Sequence, residues 1–109
     1  MSMMLQTRRD AGKTLVAVSG EVDLQNSGEL RKALLAVLSE HRHLAVDLSD
    51  VGYIDSSGIA GLIEAYQMAR QSDLRFSLAT VSAAVLRVLK LARLDEVFAI
   101  EAQPIQEGV

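Results

Sequence analysis

Short apolar runs alternate with amphipathic stretches along this chain, and that alternation leaves it few ways to fold. Thr14 to Val18 is rich in β-branched residues and closes on Ser19-Gly20, which predicts a strand ending in a turn. Met4 to Arg8 predicts a weaker edge strand before it. In Leu44 to Leu48, the residues Leu44, Val46 and Leu48 share one side of an extended segment while Asp47 points to the other, which predicts a strand packed on its apolar face. Leu74 to Ala79, with Phe76 and Leu78 inward, and Val97 to Ile100 complete the extended runs.

The intervening segments carry helical spacing. Leu30, Ala33, Leu34, Val37 and Leu38 form one stripe, Ile59, Leu62, Ile63 and Tyr66 a second, and Val85, Val88, Leu89 and Ala92 a third. Asn26 followed three residues later by Glu29 resembles a capping box, and Ser82 is placed to cap the third helix. Ser49-Asp50-Val51-Gly52 reads as a turn, and the second helix begins near Ser56 or Ser57. Strands alternating with helices through short connections predict an α/β domain: a mixed, partly parallel sheet of four to five strands covered by helices. A single domain over residues 1–109 is expected, with its core at about 4–101 and residues 102–109 as a frayed tail.

Composition excludes several function classes. At 109 residues, half of them hydrophobic, the chain suits one domain that removes roughly two-thirds of its unfolded surface from water. A formal net charge of -3 lacks the basic footprint of a general nucleic-acid binder. No apolar run approaches the roughly 18 residues needed to span a bilayer, and Met1 to Gln6 does not read as an export signal. Without cysteine there are no disulfides, thiolate chemistry or cysteine-bound metals. The cytoplasm is therefore the expected location, with no membrane insertion.

Two motifs carry the functional information. Gly20-Glu21-Val22-Asp23 follows the early strand, and Asp55-Ser56-Ser57-Gly58-Ile59 opens the second helix about thirty residues later. Together they resemble the STAS domain, with further similarity from roughly Thr14 to Ile100, including Val46-Asp47-Leu48 and Leu91-Ala92-Arg93-Leu94-Asp95-Glu96-Val97-Phe98. The resemblance implies a stand-alone anti-sigma factor antagonist without enzymatic activity or cofactor. Unphosphorylated, such a protein captures an anti-sigma factor that is also a serine kinase and so frees a sigma factor; phosphorylation by that kinase releases it, and a serine phosphatase restores it. The family pattern places the modified serine directly after the aspartate, which here is Ser56. The resemblance further implies that Glu21, Asp23, Asp55, Ser56, Ser57, Gly58 and Ile59 form the partner-binding region. Monomer and weak dimer both remain open. The alternative within the same family is a subunit docked on the ATPase of a lipid-transport ABC complex, or a signalling scaffold.

Local physics is consistent with a switch at this place. A helix start leaves N–H groups without intrahelical partners, so Ser56 or Ser57 would cap it and leave the other serine free for modification. Asp55 reads equally as a turn residue or as the group presenting the serine. Gly58 and Gly61 serve either close packing or access for a partner. The cations Arg87, Lys90 and Arg93 suit the C-terminal end of the third helix. Only His41 and His43 could serve a serine nucleophile, and without a nucleophile elbow a catalytic triad is disfavoured. These two histidines read as solvent-exposed and, even with Asp47, match no closed metal site.

Overall fold

The structure, a computed structural model, describes residues 2–102. In chain order the elements are β1 (Met3–Asp10), β2 (Lys13–Val22), α1 (Ser27–Ser39), β3 (His43–Ile54), α2 (Ser56–Gln71), β4 (Phe76–Val81), α3 (Ala83–Leu91), a 3-10 turn (Leu94–Glu96) and β5 (Ala99–Ala102). The strands form one sheet in the order β1-β2-β3-β4-β5. β1 is antiparallel to β2, and every later pairing is parallel. Each parallel step is bridged by a helix, because a strand can rejoin its neighbour in the same direction only by crossing over a face of the sheet.

Alternation decides which face the helices cover. Val16, Val18 and Val22 of β2, Leu44, Val46 and Leu48 of β3, and Phe76 and Leu78 of β4 join one buried cluster with Leu30 and Leu34 of α1, Leu62 and Ala65 of α2, and Val85 and Leu89 of α3. The opposite positions are Leu15, Ala17, Ala45, Asp47 and Ser77, of which only Ala45 is buried. The packed helical face is therefore the core, and the other face stays largely open.

Several expectations from the sequence are corrected. β2 does not end at Ser19-Gly20; Gly20 sits inside it at φ +93°, where the β2–β3 register shifts. A Cβ at Gly20 would run into the carbonyl oxygen of Ser2, just before β1, so this close approach and the positive φ both demand glycine there. Ser49 to Gly52 is not a turn either, because β3 runs on to Ile54 through two register shifts against β2. Those shifts give β3 two extra residues, and this is how Val51 and Ile54, three apart, both turn inward.

Asn26 precedes α1, but its side chain makes no cap bond. In the third helix Leu86 is buried and Ala92 is an exposed C-cap, whereas Ser82 does cap α3 by accepting from the Val85 N–H. β4 begins at Phe76 rather than Leu74, and Ala102, placed in the tail by sequence, closes β5. The expected tail from Gln103 onward lies outside the described residues.

Candidate functional site

The two motifs meet at the C-terminal ends of β2 and β3. Glu21 pairs with Tyr53 and Val22 with Ile54, and the Asp55 N–H donates to the Val22 carbonyl at 3.1 Å. The β2–α1 loop and the start of α2 are thus held side by side. Side chains lock the loop from within: the Asp23 carboxylate accepts from the N–H groups of Gln25 and Asn26, at 3.0 and 3.3 Å. The Asn26 amide closes it, accepting from the Asp23 N–H at 2.9 Å and donating to the Glu21 carbonyl at 2.9 Å. Asn26 is spent on this loop, and a capping box with Glu29 does not form.

At α2 the cap is neither serine. Asp55 stands at the N-cap in extended conformation, and its Oδ1 accepts from the Ser57 and Gly58 N–H groups at 2.9 and 3.2 Å. Ser57 adds its hydroxyl, which donates to the same oxygen at 2.5 Å. The Ser57 hydroxyl comes first among the groups holding the Asp55 carboxyl below the usual carboxylate range; partial desolvation opposes it, and the Gly58, Ser57 and Leu24 amides reinforce it. Ser57 is half-buried and engaged. Ser56 is exposed, and among the described residues its hydroxyl has no hydrogen-bond partner. With the Asp55 carboxylate already accepting both of these amides, neither serine is needed as the cap.

Gly58 and Ile59 turn away from the surface. A Cβ on Gly58 would lie 2.7 Å from both Ile54 Cγ1 and Val22 Cγ1, so glycine here lets α2 settle on the ends of β2 and β3. Ile59 is buried in the core cluster. Gly61 faces Arg31 of α1, whose Cβ a substituent would meet at an ordinary 3.6 Å. Gly58 and Ile59 thus shape the surface from beneath; Asp55 and Ser57 beside Ser56, and Glu21 and Asp23 on the adjoining segment, are partly exposed.

Sequence reasoning missed two apolar neighbours. Leu24, in the locked loop, is 79% exposed, and Tyr53, beside Glu21, is 47% exposed. An isolated leucine between Asp23 and Gln25 was the available signal for the first; Tyr53 gave none, because its direction depends on the β3 register shifts.

The histidines play no part here. His41 and His43 flank the start of β3 and Ser56 follows its end, about 35 Å away along a strand of this length. His43 is half-buried, and its Nδ1 accepts from the Arg75 N–H at 3.0 Å. Asp47 accepts from the Ser49 N–H and the Thr80 hydroxyl at 2.9 Å each. Burial works against its charge, but the bonds from Ser49 and Thr80 prevail and lower its pKa. Among the described residues no three His, Asp or Glu side chains are grouped to hold a metal, and no helix is long and apolar enough to cross a membrane.

Comparison with known proteins places this geometry in context. Residues 5–102 match the family model described as "Mlab, STAS domain". The anti-sigma-B factor antagonist of Bacillus subtilis (strain 168) is 22% identical over 103 residues, covering 94% of each chain. The crystal structure of an anti-sigma factor antagonist from Mycobacterium paratuberculosis superposes with a TM-score of 0.80 at 27% identity, covering 97% of this chain and 89% of that one. The anti-sigma factor antagonist SpoIIAA in its unphosphorylated form gives a TM-score of 0.78 at 15% identity over 95% and 90% of the two chains. Its phosphorylated form, from Bacillus, gives 0.73 at 14% over 95% and 94%.

Proposed function

The chain belongs to the STAS domain family, and from that premise we propose that it is an anti-sigma factor antagonist switched by phosphorylation of Ser56. Unmodified, it docks on an anti-sigma factor that is also its serine kinase; the phosphate turns that partner away, and a serine phosphatase resets the chain. It acts by binding, without catalysing a reaction itself, in the cytoplasm. The observation that carries this reading is the division of labour between the serines: Ser57 is tied to Asp55, whereas the Ser56 hydroxyl is open at the start of α2. The relatives named anti-sigma factor antagonists, and the existence of SpoIIAA in two phosphorylation states, support the same assignment.

The energetics favour a change in docking over a change in fold. A phosphate brings about -1.5 to -2 charges at neutral pH, and a helix N-terminus attracts an anion by about 0.3–1 kcal/mol. Here that attraction is reduced, because Asp55 already holds the Ser57 and Gly58 amides and repels the newcomer. Neither effect reaches the core. A docked partner meets something different: full burial of Leu24 alone contributes roughly 1.5–3 kcal/mol to binding, but the same contact would have to strip water from a dianion among Glu21, Asp23 and Asp55.

Incubation with the cognate kinase and ATP, followed by fragmentation mass spectrometry, tests the assignment. One phosphate on Ser56 is expected. Phosphate on Ser57 alone refutes the division between the serines. No phosphate at all, with a transporter ATPase recovered from native extract, replaces this reading with the lipid-transport alternative.

A further inference from the structure

At the opposite end of α2 from Ser56, the structure contains a cavity of about 680 Å³. Tyr66 and Arg70, which line it, lie ten and fourteen residues beyond Ser56, or about 15–21 Å along the helix axis. It is therefore separate from the phosphorylation site. Its size falls within the range of small-molecule pockets, roughly 300–1,000 Å³.

The walls divide by chemistry. Leu44, Tyr66, Ala69, Leu74 and Phe76 supply an apolar floor. Tyr66 and Phe76 join Phe98, which lies outside the lining, in an aromatic cluster with ring centroids 5.6–6.2 Å apart, and this fixes the floor's shape. Lys13, Arg70 and Arg75 stand at the rim, all three exposed. The ion pairs of the described residues join Arg9 to Glu40 and Arg31 to Glu64, so none of the three rim cations is neutralised there. Arg70 instead lies over the Tyr66 ring, 5.8 Å from its centroid, and its Nη1 donates to the Tyr66 hydroxyl at 3.2 Å. The one carboxylate in the lining, Glu101, accepts from the Ser77 hydroxyl. Three cations against one carboxylate leave the lining net positive, in a chain whose overall charge is -3.

We propose that this cavity binds a small organic anion with an apolar body, the body lying on Tyr66, Leu74 and Phe76 and the anionic head held by Arg70, Arg75 and Lys13. Guanidinium groups suit phosphate or carboxylate heads because they donate in a planar fork. The partly exposed Tyr66 and Leu74 favour a ligand with an apolar body over a bare inorganic anion.

Decyl phosphate, kept below its micellisation concentration, is the probe, and amide resonances of the isotope-labelled full chain are the readout. Saturable shifts at Tyr66, Ala69, Phe76 and Ser77 are expected, with the Ser56 region unmoved. The double variant Arg70→Gln/Arg75→Gln weakens binding by about tenfold or more, as loss of hydrogen bonds to a charged head implies. Arg87→Gln, an exposed cation of α3 outside the lining, leaves it unchanged. Absence of shifts at these residues overturns the proposal. So does equal binding of decyltrimethylammonium, an equally strong response to inorganic phosphate alone, or wild-type affinity in the double variant.

Discussion

Gly58→Ala isolates the packing that sets the start of α2. The added methyl would stand 2.7 Å from Ile54 Cγ1 and Val22 Cγ1 and 3.0 Å from Ile54 Cδ1. Ile54 and Val22 are both buried at the ends of adjacent strands, so neither can swing into solvent. Overpacking of this kind costs about 1–3 kcal/mol, against a gain of up to about 1 kcal/mol for alanine over glycine in a helix. The net expectation is a loss of about 0.5–2 kcal/mol, or several degrees in melting temperature for a domain of this size. Gly28→Ala is the control. It lies in the first turn of α1 with nothing within 4 Å of the added carbon, so only the helix term remains and the variant should gain up to about 1 kcal/mol. Urea unfolding of both variants, with the slope checked against wild type, measures the difference. A Gly58→Ala protein as stable as Gly28→Ala would refute the claim that α2 is seated directly on Val22 and Ile54.

Other predictions concern the site and core. Ser56→Asp should retain the wild-type melting temperature within a degree or two and weaken docking by about tenfold, while Ser56→Ala docks normally; calorimetric titration with the cognate kinase checks both. Asp55, with its folded pKa held below the ordinary carboxylate value, stabilises the fold above the unfolded-state pKa near 4, and that contribution disappears as pH falls through the lower folded value. Thermal melts at pH 7 and pH 3 should therefore show a larger acid loss for wild type than for Asp55→Asn. Leu62→Ala, truncating a fully buried side chain on the core face of α2, should cost about 2–5 kcal/mol in denaturant unfolding.

Much of this architecture was legible because periodicity records which face of an element is buried. Leu30, Leu34, Val37 and Leu38 marked α1, and Leu44, Val46 and Leu48 marked the core face of β3. What stayed hidden were places where long-range pairing overrules a local signal. Ser49-Asp50-Val51-Gly52 has the composition of a turn, yet β2 holds it in the sheet as a bulged strand. Gly20 announced a chain reversal but serves a register shift under β1. The serine doublet suggested that one serine caps the helix and leaves the other free, but the cap is Asp55, and the Ser57 hydroxyl donates to it instead of capping. Asn26 looked like a helix cap, and the Glu21 carbonyl and Asp23 amide claimed it instead.

Titration of the cognate anti-sigma factor with the unmodified chain, and with chain phosphorylated stoichiometrically at Ser56, measures the switch itself. The phosphoprotein should dock at least about tenfold more weakly, with its circular-dichroism melt unchanged. Equal affinities, or a phosphoprotein that no longer melts cooperatively, would contradict it.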